Sequence, residues 1–247
     1  MLSLPLGTLW AILFTQKTRR TTILEAPKIA LIHATPLAMG PISNAFKVFA
    51  PDAETFHLLD DSLSKDHAKA KTLTKEMYAR FEDLTQYALK TGAKGILFSC
   101  SAFGMAIDEC ARKHAVPILK PNEAMFEEAL SISHAPLHLS VLLVATFEAS
   151  IASMKEEFLA LAKSKEIEVD FTGLFVPEAM SDLANGQALL HHQKIALALL
   201  NAPPCDVIML AQFSMADAQN LCQSKTSTPI LTSPTSAVKA IMQKLSH

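Results

Sequence analysis

The sequence predicts an α/β protein made of two half-domains related by a pseudo-twofold axis, each with a mainly parallel sheet flanked by helices. Two observations predict it. Short, continuously apolar runs alternate with helical patterns along the chain, and the whole alternation then repeats. An apolar run without polar alternation indicates a strand covered on both faces, as parallel strands between helix layers are.

The elements follow in order. Residues 1–27 are set apart as an N-terminal extension: the stretch 2–14 is apolar, holds the single Trp10, and is followed by Lys17, Arg19 and Arg20. It is too short for a membrane span of about 20 residues. It also lacks the basic start and small-residue cleavage site of a secretory signal. A docking tail, a weak membrane anchor and an extension without a role stay open. The fold is expected to start at Lys28. Residues 28–33 read as a strand, 41–49 as a helix, 53–58 as a strand and 64–90 as one long helix. In that helix Leu73, Met77, Phe81, Leu84 and Ala88 recur at spacings of three and four. Strand 95–98, helix 102–114, strand 117–119 and helix 122–131 follow, the last with Asn122 as its cap. The second half gives strand 140–145, helix 148–164, strand 168–172, and helices 177–184 and 188–200. Strand 207–210, helix 215–222, strand 229–231 and helix 236–245 complete it.

Three anchors make this a duplication. Ala34-Thr35 and Ala145-Thr146 each end a strand, offset by 146 − 35 = 111 residues. The run ending at Cys100 matches the run ending at Gln212, offset by 212 − 100 = 112. Pro117-Ile-Leu119 matches Pro229-Ile-Leu231, offset by 229 − 117 = 112. A fixed long period is the mark of repeated units. The lobes are therefore expected at 28–136 and 137–247, with the closing helix able to reach the first lobe.

Composition removes several classes of function. Half of the residues are apolar and 19% are charged, which excludes a largely disordered chain. The formal charge of −2 provides no basic surface for nucleic acid. With only 7 glycines the chain has no glycine-rich phosphate loop and no G-x-S-x-G nucleophile elbow. Cys100, Cys110, Cys205 and Cys222 form no C-x-x-C pair. Reduced thiols in the cytoplasm are expected, without a metal site. Adjacent His191 and His192 point about 100° apart on a helix and do not converge on one ion.

Open parallel sheets bind ligands beyond the carboxyl ends of their strands. The repeat puts Thr35, Ser99-Cys100-Ser101, Thr146 and Gln212-Phe213-Ser214 at four such ends, and facing lobes would bring all four to one cleft. Cys100 is the focal residue. It leaves a strand just before a helix, where backbone N–H groups lower a thiol pKa from about 8.5 and support acid, base or nucleophilic work. Cys110, Cys205 and Cys222 are expected as packing residues, and His33 as a core histidine. Thr35 and Thr146 can donate to a substrate oxygen or cap the following turn, and Ser150 lies one turn after Thr146. Lys120, Asn122 and Glu123 come just after the fourth strand, where they can rim the cleft or cap the next helix. Phe103, Phe147, Phe175 and Phe213 are candidates for setting pocket size.

These motifs resemble the cofactor-independent aspartate/glutamate/hydantoin racemase superfamily. The resemblance rests on Ser99-Cys100-Ser101-Ala102 after an apolar strand, the run from Ala145-Thr146 to Ser150, and the run from Asp206 through Gln212 to Met215, and it spans about residues 28–247. It implies two lobes that each bring one cysteine to opposite faces of a small carboxylate substrate. It implies neither pyridoxal phosphate nor metal, and chains that commonly assemble with one another. Cys100 matches the first-lobe cysteine. Thr35, Ser101, Thr146 and Ser150 match positions that hold substrate oxygens.

One departure matters. Where the second-lobe cysteine belongs, this chain has Gln212, whose amide has no useful pKa near neutrality. Cys205 precedes its strand and belongs to the opposite end of the sheet, and Ser214 is a poor base without a partner. The expectation is single-thiol racemase or isomerase chemistry at Cys100, with Gln212 free to hold a substrate carboxylate or amide. The alternatives are a decarboxylase-like lyase and a non-catalytic carboxylate-binding protein.

Overall fold

The computed structural model describes residues 26–132 and 138–246. The readings placed on the first 25 residues, and the lobe boundary at 136–137, lie outside the described residues. Two four-stranded parallel sheets form the frame. In the first, β1 (Lys28–His33), β2 (Glu54–Leu59), β3 (Gly95–Phe98) and β4 (Ile118–Leu119) lie in the order β2-β1-β3-β4. In the second, β5 (His138–Ala145), β6 (Glu168–Phe175), β7 (Val207–Leu210) and β8 (Ile230–Thr232) lie in the order β6-β5-β7-β8.

The two sheets repeat each other down to single hydrogen bonds. Ser99 N–H donates to Ile32 O (3.0 Å) and Ala211 N–H to Val144 O (2.9 Å). Donors and acceptors are both offset by 112 (211 − 99 and 144 − 32). In each sheet the chain runs outward one way to the edge, then returns to the other side of the first strand. The reversal puts a crevice between β1 and β3, and another between β5 and β7, at the strands' carboxyl ends.

Burial follows the sequence pattern. The central strands β3 and β7 are buried at every position. The edge strands β2 and β6 are partly exposed, which permits their mixed sequences. β6 runs to Phe175, past the expected end at 172, because all eight of its residues pair with β5. Gly173 is required there: a Cβ would lie 2.5 Å from Ile151 in the covering helix α6 (Ala149–Ser164).

The other helices are α1 (Met39–Phe49), α2 (Ser62–Ala70), α3 (Lys75–Lys90), α4 (Gly104–Lys113), α5 (Glu123–Leu130), α7 (Ala179–Ala184), α8 (Ala188–Ala198), α9 (Gln219–Gln223) and α10 (Ser233–Leu245). The single helix expected over 64–90 is two helices. Lys71 turns left-handed (φ 60°), and the Thr74 hydroxyl accepts from Met77 N–H to start α3 afresh. Arg80 of α3 then reaches back to Asp60 and, at 2.8 Å, to Asp66 of α2. The helix starts expected at 102 and 215 are instead 3-10 turns, Ser101–Phe103 and Phe213–Ala218. Asn122 precedes α5 but makes no capping bond; its Oδ1 accepts from Ser233 Oγ at 2.8 Å.

The lobes exchange their last helices. From the first half, α5 supplies Met125, Phe126, Ala129 and Leu130 to the core around Leu139, Val141 and Phe158 of the second. From the second half, α10 supplies Ala237, Val238 and Ile241 to the core around Ile29, Leu31, Phe46 and Leu97 of the first. At the crossing, Lys239 of α10 pairs with Glu128 of α5 at 3.1 Å.

Candidate functional site

The carboxyl ends of β1, β3, β5 and β7 converge on one cleft of about 480 Å³. Of the residues singled out from the sequence, Thr35, Ser99, Cys100, Ser101, Ser150, Gln212 and Ser214 line it. Thr146 does not; it is 4% exposed and turned to a neighbour within its own lobe. Phe147 and Phe213 line the cleft, whereas Phe103 is buried against Phe81 and Phe98 in the first-lobe core, and Phe175 lies outside the lining. Cys205 precedes β7, at the far end of the sheet, and Cys110 and Cys222 are buried in the two cores.

On the first lobe, Cys100 stands two residues past the end of β3 and is half-buried. Burial pushes its thiol above the ordinary thiol range, and the bond from Ala102 N–H pulls the other way without prevailing. Burial thus outweighs the lowering expected of a thiol at this strand end. The thiol sits before a three-residue 3-10 turn, which has fewer aligned N–H groups than a full helix start offers. It rests protonated at neutral pH. Thr35 Oγ1 accepts from Leu37 N–H at 3.4 Å, so this residue caps a turn and lines the cleft at once. Ser99 Oγ lies 2.7 Å from His33 Nδ1.

On the second lobe, Gln212 is bound tightly in place. Its Oε1 accepts from Thr146 N–H (2.9 Å) and from Thr146 Oγ1–H (3.1 Å). Its Nε2 donates to Ser150 Oγ (2.7 Å), which in turn donates to Phe147 O (2.7 Å). The amide oxygen thus occupies the two Thr146 donors that the sequence pattern assigns to a substrate oxygen. One Nε2–H is left for a ligand.

Sequence reasoning missed several cleft residues. Ser153, Met154 and Glu157 continue from Ser150 at spacings of three, four and seven on α6, so the helical period could have found them. Of the three residues expected at the rim or as caps, Asn122 lines the cleft and Lys120 and Glu123 do not; Asn122 is 3% exposed, and its Nδ2 has no hydrogen-bond partner. Among the described residues, Glu157 is the one acidic group that lines the cleft, and no Lys or Arg lines it. Burial raises the Glu157 pKa against the pull of Lys120, and Glu123 and Asp108 raise it further. The site therefore offers one thiol, hydroxyls, a free amide donor and a carboxyl group whose pKa burial raises. Among the described residues, no group of three or more His, Cys, Asp or Glu is placed to hold a metal ion, and no helix is long and apolar enough to cross a membrane.

No protein-family model matches the chain, and no curated protein matches it. Solved structures do. An aspartate racemase homologue from Pyrococcus horikoshii OT3 superposes with a TM-score of 0.66 at 15% identity, covering 89% of this chain and 99% of that one. An allantoin racemase from Klebsiella pneumoniae gives 0.62 at 16% identity, covering 90% and 88%. A glutamate racemase isoform from Bacillus anthracis gives 0.64 at 12% identity, covering 90% and 83%. The chain has the two-lobed α/β fold of the aspartate, glutamate and allantoin racemases.

Proposed function

We propose that the chain is a cofactor-independent enzyme of the racemase and isomerase type that acts on a small carboxylic or amino acid, with Cys100 as its single acid/base thiol. The observation that carries this reading is a cleft where both sheets reverse their strand order, with one thiol on the first lobe and an internally bonded Gln212 where the second would stand. The substrate lies between the lobes, and its oxygens take hydroxyl and amide donors in place of cations. The working unit consists of two duplicated halves, 28–136 and 137–247, in a cytoplasmic protein that assembles with copies of itself.

A thiol that rests protonated is a proton donor first. This favours, as a second reading, a lyase in which loss of carbon dioxide leaves a carbanion and Cys100 S–H protonates that carbon from one face. Both readings are tested by incubating the protein in deuterium oxide with a panel of amino acids, hydantoins and malonates. Label is expected at the substrate carbon, and Cys100→Ala should reduce its incorporation roughly 10²–10⁴-fold. Full-rate incorporation in the alanine variant would overturn the assignment. Thermal stabilisation by an acid of the panel without any turnover would instead mark a non-catalytic carboxylate-binding protein.

A further inference from the structure

A chain of four side chains leads from the cleft through the first lobe. Ser99 Oγ lies 2.7 Å from His33 Nδ1, His33 Nε2 lies 2.9 Å from His57 Nδ1, and His57 Nε2 lies 3.0 Å from Ser43 Oγ. Strand pairing assembles it. His57 of β2 is registered with Leu31, two residues before His33 on β1, so both imidazoles stand on one face of the sheet. The two rings stack with centroids 5.1 Å apart. His33 is 1% exposed, Ser99 lines the cleft, and Ser43 and His57, at the outer end, are half-buried.

A neutral imidazole has one donor and one acceptor nitrogen. Four groups in this sequence can therefore be fully bonded in two opposite directions without any net charge. Pointing inward, Ser43 O–H donates to His57 Nε2, His57 Nδ1–H to His33 Nε2, and His33 Nδ1–H to Ser99 Oγ, which leaves the Ser99 O–H free for the cleft. Pointing outward, every one of these bonds is reversed.

We propose that Ser99, His33, His57 and Ser43 form a proton relay between the cleft and the outer side of the first lobe, with Ser99 as the residue that hands the proton over. The proposal rests on the reading that Cys100 performs proton chemistry in the same cleft. Exchange at a single thiol needs one proton out and one in, and Cys100 is itself half-buried. On inward passage Ser43 takes a proton from water as its own moves to His57 Nε2. The His57 Nδ1 proton moves to His33 Nε2, the His33 Nδ1 proton to Ser99 Oγ, and the Ser99 proton to the base in the cleft. Each member gains one proton and loses one, and the net change is a single proton carried from water. Reverse passage restores the first direction. Burial, with His57 adding to it, holds the His33 pKa near 4, so the rings stay neutral while the protons shift together.

Two measurements test the relay. In the deuterium assay, His57→Gln and Ser43→Ala should slow incorporation about tenfold or more at low buffer concentration, and added imidazole should restore the rate. A merely structural loss would not respond to imidazole. Folded variants that exchange at the full rate, independent of buffer, would overturn the proposal, as would slowed variants that imidazole leaves slow. Circular dichroism checks the fold, and Ser43→Ala carries the test if His57→Gln unfolds. The second measurement needs no substrate, so it separates failure of the relay from failure of the proposed activity. Nitrogen-15 spectra of the histidine rings should show neutral His33 and His57 with tautomers that change together, and Ser43→Ala should shift the His33 signals. Tautomers that respond independently would overturn the relay.

Discussion

At the scale of single residues, Gln212 decides what the cleft can do. Its amide oxygen takes both donors of Thr146 and its amide nitrogen is held by Ser150, so the second lobe is stitched together by the residue that follows β7 into the cleft. Gln212→Cys would remove all three bonds and leave the buried Thr146 donors unpaired, at a cost of about 1–3 kcal/mol for a buried group without its partner. The same change would put a second thiol opposite Cys100. The expected outcome is a lower melting temperature together with inversion of configuration in the product, read by chiral chromatography, where the parent exchanges label on one face. Loss of stability without any inversion would show that the two strand ends do not address one substrate carbon. These residues were legible in the sequence because a strand's carboxyl end is visible as the polar residue that stops an apolar run. Asn122 and His33 were visible too, the first at the cleft rim or as a cap and the second as a core histidine. Nothing local in the chain reveals that Asn122 turns to Ser233, or that His33 meets Ser99 and His57, because those partners come from other elements.

At the scale of elements, the strands were foreseen closely and the helices less so. The stretch 71–74 keeps Leu73 in phase with the helix after it, so periodicity alone runs straight through it. The break is set by the Thr74 cap and by the pull of Arg80 on Asp60 and Asp66, which tertiary structure supplies. The helix α8 carries a different consequence. His191 there is fully buried, neither of its ring nitrogens has a hydrogen-bond partner, and burial, with His192 beside it, lowers its pKa to about 4. The unfolded chain would protonate this ring near pH 6.5, so between that value and about 4 it binds a proton that the folded chain does not. Stability from this group is fully present above pH 6.5 and is lost as the pH falls toward 4, by at most about 3 kcal/mol. His33 adds a dependence of the same sign. His191→Phe, which breaks no hydrogen bond, should flatten part of the acid limb of a urea-unfolding series from pH 7.5 to 4.5. An unchanged slope would mean that the ring is already charged in the folded state.

At the scale of the whole molecule, duplication was legible as a period, but its physical consequence was not. The repeat suggests two units that could each fold alone. The packing argues otherwise, because α5 completes the core over the second sheet and α10 completes the core over the first. Each half therefore lacks a helix that the other supplies, and removing either strips apolar side chains from a buried surface. Burial of a Leu, Ile, Phe or Met side chain is worth about 1.5–3 kcal/mol, and an exchanged helix carries several of them. A domain's net stability is only about 5–15 kcal/mol, so neither half should stay folded without the other's helix. The full chain should accordingly unfold in one transition, with fluorescence and circular dichroism midpoints coinciding. Fragments 28–136 and 137–247, prepared separately, should lack fixed tertiary structure and regain it on mixing in equal amounts. Two independently folded fragments, or two resolved transitions in the intact chain, would show that the crossed helices are dispensable. The cleft lies on the same seam, since Asn122 before α5 and Ser233 at the start of α10 bond to each other beside it. Any ligand held between the lobes should therefore raise the midpoint of the single transition, since it binds only where both halves are joined.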